Sequence, residues 1–162
     1  MLCLTKKHKH QKTPIYVKRD NPIKGKVLGV LDGDSLILEL DNSTKIDVRV
    51  YGIDALELRQ PLGLDSRNTL RSFVFEKYVT AYLQGKDRYG RTVAEIQTNE
   101  GNANVYMMEM GLARHYKAFS DDELYAQAEE YAKQNHLGMW KEAEPIAPWD
   151  YRSAEGLQKD DL

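Results

Sequence analysis

Residues 31–57 read LDGDSLILELDNSTKIDVRVYGIDALE, and this stretch decides the fold class. Asp32-Gly33-Asp34 is a tight-turn signal, and Ser35 to Leu40 beyond it has the composition of a strand. Asp41-Asn42-Ser43 turns the chain again. From Lys45 to Tyr51 the residues alternate: Ile46, Val48 and Val50 share one face, and Lys45, Asp47, Arg49 and Tyr51 the other. A period of two predicts a strand covered on its apolar side. Arg49 then lies on the opposite face, beside whatever covers the sheet. With Lys26 to Leu31 as a strand ahead of the first turn, three strands form a meander.

Working outward, Pro61 to Tyr78 has helical spacing, with Leu64, Leu70, Phe73, Val74 and Phe75 as a broad apolar stripe. Val79 to Leu83 reads as a fourth strand, Asp87-Arg88-Tyr89-Gly90 as a turn, and Arg91 to Gln97 as a fifth strand. Asn104 to Met110 is a short helix closed by Gly111, with Met107, Met108 and Met110 as core filler. Ser120 is the expected N-cap of a further helix, with Glu123 at N3. That helix presents Leu124, Ala128, Tyr131 and Ala132 on one face and stops near Gly138. The tail, with Trp140, Pro145, Pro148 and Trp149, reads as an irregular apolar strap, and the packing role extends to Tyr151 and Arg152.

Five short strands, a helix between the third and fourth, and helices at the end predict an α+β, mainly β chain. The order is that of an OB-fold five-stranded Greek-key barrel with three helices. The domain expectation is a flexible basic arm over 1–22, the barrel domain over 23–142, and a C-terminal tail over 143–162 partly packed on it. There are no internal repeats.

At 162 residues, 41% hydrophobic and 30% charged, the composition is that of a single globular domain. No apolar run reaches the roughly 18 residues of a membrane span. The lone Cys3 excludes an internal disulfide framework. The net charge of −2 conceals an asymmetry, since residues 1–26 carry eight Lys or Arg against Asp20. The body is therefore acidic, and affinity for phosphate must come from a local site and bound cations. No complete signal peptide is visible at the N-terminus.

Several side chains near the turns have catalytic character. Asp34 and Asp54 are carboxylates of the kind that hold a hard cation such as Ca²⁺ in a weak, open site. Glu57, three residues beyond Asp54, is placed to take a proton from an attacking water. Arg49 and Arg91 carry planar guanidiniums suited to a phosphate. Singly, each has an ordinary reading, as a turn residue, a loop acid or a surface ion pair. The specificity lies in the ensemble.

Asp32-Gly33-Asp34, Arg49, Asp54-Ala55-Leu56-Glu57 and Asp87-Arg88-Tyr89-Gly90-Arg91, in that order, resemble the staphylococcal-type thermonuclease family. The resemblance continues through Gly111-Leu112-Ala113 and Gly138-Met139-Trp140, covering roughly 24–140. It implies Asp34, Asp54 and the carbonyl of Ala55 as Ca²⁺ ligands, Glu57 as the base, and Arg49 and Arg91 on the scissile phosphate. Tyr89 and Tyr116 would line the nucleotide pocket. The implied activity is calcium-dependent, sequence-nonspecific endonucleolytic cleavage of DNA and RNA, with a preference for single strands and 3′-phosphate ends. A monomer, secreted or periplasmic, is the matching expectation. The alternative is a non-catalytic nuclease-like OB module that binds nucleic acid or a protein partner. Leu56 stands where the family commonly has proline, which removes a fixed φ ahead of Glu57.

Overall fold

The computed structural model describes residues 13–157. The N-terminal stretch with Cys3, His8 and His10, and hence most of the expected basic arm, lies outside the described residues. The elements run β1 Pro22–Asp32, β2 Ser35–Leu40, β3 Lys45–Val50, β4 Ile53–Ala55, α1 Gly63–Val74, β5 Tyr78–Lys86, β6 Thr92–Thr98 and β7 Gly101–Asn102. They continue as α2 Ala103–Glu109, β8 Ala113–His115, α3 Glu123–Gln134, a 3₁₀ turn Gly138–Lys141 and α4 Pro148–Ala154.

β1 is the hinge of the barrel. Its second half pairs antiparallel with β2, from Gly25↔Leu40 to Asp32↔Ser35, and its first half pairs with β5, from Pro22↔Tyr82 to Lys26↔Tyr78. Two register shifts bend it between these partners. β2 and β3 complete the meander, and β5 pairs antiparallel with β6. The parallel pairing of β3 with β6, Val48↔Thr92 to Val50↔Ala94, closes the ring. β1, β2, β3, β6 and β5 thus form the closed five-stranded Greek-key barrel expected of the sequence, with no edge left in the ring.

The barrel interior is filled by the predicted apolar faces. Val27, Leu36, Leu38, Val48, Val50, Ala81, Ala94 and Ile96 are buried. α1 covers β1 with Leu70 and Val74, and α2 contributes Met107 and Met108, both fully buried. Full burial of a side chain of this size contributes about 1.5–3 kcal/mol before entropy is counted.

The structure corrects several expectations. Among the described residues there are four α-helices, not three, because α4 forms within the stretch expected to be an irregular strap. Its seven residues are too short to show a helical period, and Pro148 at its start, with φ already fixed for a helix, is the local signal. Asp122, not Ser120, caps α3, its carboxylate accepting from the Leu124 N–H at 3.0 Å. Ser120 instead accepts from the Asp122 N–H. The inner face of α3 is also shifted: Tyr125, Ala128, Glu129 and Ala132 are buried, whereas Leu124 and Tyr131 are exposed. A charged residue took an apolar position because Arg114 and the His115 backbone N–H both donate to Glu129. The short strands β4, β7 and β8 carry no sequence signal of their own. β4 pairs with β8 outside the barrel, from Ile53↔His115 to Ala55↔Ala113. Among the described residues no helix is long and apolar enough to cross a membrane.

Candidate active site

The Asp32-Gly33-Asp34 turn and the β3–β4 connection meet at one end of the barrel. Gly33 is required there because a Cβ would collide with the Ser66 hydroxyl and come within 2.7 Å of the Ala55 Cβ. That close approach lets Asp34 reach the next segment: its Oδ2 accepts from the Ala55 N–H at 2.7 Å. Asp34 is 1% exposed and Asp54, on β4, is wholly buried.

Arg49 ties these acids to the barrel. Its guanidinium donates to the carbonyls of Val50 and Ile53, at 2.6 and 2.7 Å. One of its nitrogens also lies 3.3 Å from Asp34 Oδ2 and 3.9 Å from Asp54 Oδ1. Two carboxylates thus converge on one guanidinium, which wraps around the turn that separates β3 from β4.

Glu57 sits in the loop after β4 and is nearly buried. Its backbone N–H donates to Gln60 Oε1 at 3.1 Å, and Gln60 Nε2 donates to the Ile146 carbonyl at 2.7 Å. Gly63 opens α1 against this loop, so close that a Cβ would overlap the Glu57 carbonyl oxygen. Leu56 takes the proline position for a structural reason. Its N–H donates to the Leu112 carbonyl at 3.2 Å, a bond proline cannot make, and its side chain is buried.

One residue of this cluster does more than the packing expected of the tail. Arg152, on α4, donates from one nitrogen to Asp54 Oδ1 at 3.0 Å and to Glu57 Oε1 at 2.5 Å, and from the other to Asp54 Oδ2 at 2.8 Å. The expected packing role of the tail is therefore incomplete. Burial disfavours the Arg152 charge, but the hydrogen bonds and attraction of Asp54, then Glu57, outweigh it and raise its pKa above the ordinary value. Only the order Pro148-Trp149-Asp150-Tyr151-Arg152, a proline-led short helix with an arginine in its last turn, carries any signal in the sequence.

The other expected residues surround the same groove, of about 820 Å³, lined by Arg49, Lys86, Arg88, Tyr89, Arg91, Tyr116, Trp149 and Arg152 among others. Arg91 closes the β5–β6 turn by donating to Asp87 at 2.7 Å. Burial alone would raise the Asp87 pKa, but hydrogen bonds from the Arg91 side chain and backbone hold it below the ordinary value. Tyr89 is about half exposed, with Arg88 4.8 Å from its ring centre. Tyr116 stacks on Trp149, centroids 5.8 Å apart and planes at 12°. Arg114 lies over both Trp149 and Trp140, at 5.1 and 4.7 Å, and fixes the tail on the body.

Asp34, Arg49, Asp54 and Glu57 thus form one contiguous cluster, joined through Arg152, with Ala55 bonded to it by its N–H. Arg91, Tyr89 and Tyr116 share the groove with Arg49. Among the described residues no three His, Cys, Asp or Glu side chains stand grouped as a metal cage. The donor chemistry nonetheless fits a hard cation. Asp34 and Asp54 offer oxygen only and converge on the same guanidinium, next to an open groove.

Residues 47–142 match the family described as "Staphylococcal nuclease homologue". An uncharacterized endonuclease of Haemophilus influenzae is 38% identical over 132 residues, covering 82% of this chain and 74% of that protein. The chain belongs to the staphylococcal nuclease family. An uncharacterized endonuclease of Escherichia coli O157:H7 is 34% identical over 80% of this chain and 85% of its own length. The rice protein named "Probable staphylococcal-like nuclease CAN3" is 36% identical over 67% of this chain, but over only 29% of its own. Similarity to the two bacterial proteins therefore extends over most of each chain, whereas the plant protein shares one portion.

Proposed function

We propose that the protein is a calcium-dependent, sequence-nonspecific endonuclease that hydrolyses DNA and RNA. The observation that carries this reading is the convergence of buried Asp34, Asp54 and Glu57 on Arg49 and Arg152, which themselves line a groove rich in arginine and aromatic side chains. The relatives named endonuclease and nuclease support it.

Asp34 and Asp54, with the carbonyl of Ala55, would hold Ca²⁺, which when bound supplies a Lewis acid for the phosphate oxygen. Glu57 takes a proton from the attacking water. The new P–O bond forms as the bond to O5′ breaks, and O5′ takes up a proton from solvent, leaving a 3′-phosphate and a 5′-hydroxyl. Arg49 and Arg91 pair with the phosphate oxygens, where charge grows towards the transition state and fixed donors gain most. Lys86 and Arg88 on the groove wall attract the neighbouring phosphates despite the acidic body. Tyr89 and Tyr116 offer ring surface for bases without reading their edges, which favours single strands and tolerates any sequence. Every group used comes from one chain, which suits an enzyme that acts as a monomer.

Digestion of heat-denatured DNA with Ca²⁺ and with a chelator tests the reading, alongside Glu57→Gln and Arg91→Lys. Cleavage is expected to require Ca²⁺ and to fall about 100-fold or more in both variants. A folded wild type that binds DNA without cutting it would instead identify a binding module.

A further inference from the structure

We propose that Arg152 is a positioning residue for this chemistry, holding Asp54 and Glu57 in fixed relation from the C-terminal helix α4. The assignment rests on the nuclease reading above but adds a residue and an element that the reading does not use.

The geometry is specific. The two terminal nitrogens of Arg152 each meet one oxygen of Asp54, and one of them also meets Glu57. A paired contact of this kind fixes angle as well as distance, which a single ammonium cannot do. Asp54 already has β4 to hold its backbone, whereas Glu57 lies in a loop, so its carboxylate depends on side-chain partners. A second link runs the same way, since Gln60 bonds both the Glu57 N–H and the Ile146 carbonyl just ahead of α4. The tail is in turn clamped by Arg114 between the two tryptophans and by the Trp149–Tyr116 stack. α4 is therefore built to place one guanidinium, and it does so at the two acids nearest the chemistry. Arg152 is only 7% exposed, so its contacts are shielded from bulk solvent.

Charge makes this role distinguishable from a simple fold contact. Asp34, Asp54 and Glu57 crowd one locus, and removing Arg152 leaves them with one positive neighbour fewer. A cation should then bind more tightly while Glu57 loses its fixed position. Metal affinity and turnover move in opposite directions.

The experiment compares full-length wild type, Arg152→Met and Arg152→Lys. Calcium binding is measured by calorimetry, cleavage of denatured DNA at saturating Ca²⁺, and thermal melting as a check on folding. For Arg152→Met we expect calcium to bind several-fold more tightly and kcat to fall about 30–100-fold, the scale of a misplaced catalytic group. KM for DNA should change by less than about threefold, because the terminal nitrogens of Arg152 are taken up by Asp54 and Glu57. Arg152→Lys should recover part of kcat, since it restores the charge but not the paired geometry. If Arg152→Met melts below the assay temperature, Arg152→Lys decides, and turnover equal to wild type overturns the proposal. A joint fall in calcium affinity, kcat and melting temperature would reduce Arg152 to a fold contact. A joint rise in affinity and kcat would make it an inhibitory plug. A wild type that binds calcium yet never cuts DNA would defeat the nuclease reading itself, and the assignment with it.

Discussion

Two of the sites where the described residues bury carboxylates are built on opposite plans. Glu95, on β6, is fully buried and accepts from the Tyr125 hydroxyl at 2.6 Å and from Arg19 at 2.8 and 3.2 Å. One carboxylate meets one guanidinium and one neutral donor, and the charges balance. Burial, with the neighbouring Glu95 charge, pushes the Tyr125 hydroxyl far above its ordinary pKa, so it stays a donor at any working pH. The second cluster sets Asp34, Asp54 and Glu57 against Arg49 and Arg152, and through these arginines it borders the groove. Its acids outnumber its guanidiniums. A buried cluster with matched charges has little affinity left for a charged ligand, whereas one with more acids than guanidiniums is of the kind that would favour a cation.

The largest expected effects exchange the two clusters' roles. Glu57→Gln should lower turnover about 100-fold or more while moving the melting temperature little. Glu95→Ala should do the reverse, removing about 2–3 kcal/mol of stability by opening a cavity and stranding the Tyr125 hydroxyl, with turnover per folded molecule unchanged. Denaturant titration and steady-state cleavage on both variants check this crossover, and equal effects on both properties would erase the distinction.

Gly63→Ala tests whether the unbalanced cluster depends on its backbone frame. Its Cβ would overlap the Glu57 carbonyl oxygen, so the loop must shift. A cost of about 1–3 kcal/mol is expected, with a fall in kcat beyond what the lost folded fraction explains. An unchanged kcat would show that the loop carries no precision.

The smallest effect concerns His115, which pairs with Ile53 beside Asp54 and meets Tyr125 edge-on, between the two clusters. Both its ring nitrogens are buried without a hydrogen-bond partner among the described residues. Burial pushes its pKa below the ordinary value, against the pull of Glu129 and aided by Lys117. The unfolded chain therefore takes up a proton first as the pH drops. His115 favours the fold above about pH 6.5 and loses that contribution as the pH falls towards its native pKa, by at most about 1.4 kcal/mol per pH unit. Melting from pH 8 to 5 should show this slope, reduced in His115→Phe.

The barrel was legible because its information is local. Ile46, Val48 and Val50 declare a strand by a period of two, and the turn at Asp32-Gly33-Asp34 declares where the chain reverses. Asp34, Arg49, Asp54 and Glu57 are close in sequence, on the meander and the segment directly after it, so proximity in the chain anticipated proximity in space. The inner face of α3 was read wrongly because Glu129 looks solvent-facing until Arg114 and the His115 N–H are known to meet it. The cap was misplaced because Ser120 and Asp122 are both good acceptors for an N-terminal N–H, and only the backbone path chooses between them.

By itself, then, the sequence determined the five barrel strands, their turns, the closed ring and the residue types gathered at its end. Tertiary structure alone decided that three of those acids are buried together and that an arginine about a hundred residues further on completes them. Periodicity and turn chemistry act over a few residues and leave a local trace. The partner of a buried charge is chosen by whichever side chain the folded chain brings within hydrogen-bond reach, and nothing in the residues around Arg152 records that Asp54 and Glu57 are waiting for it.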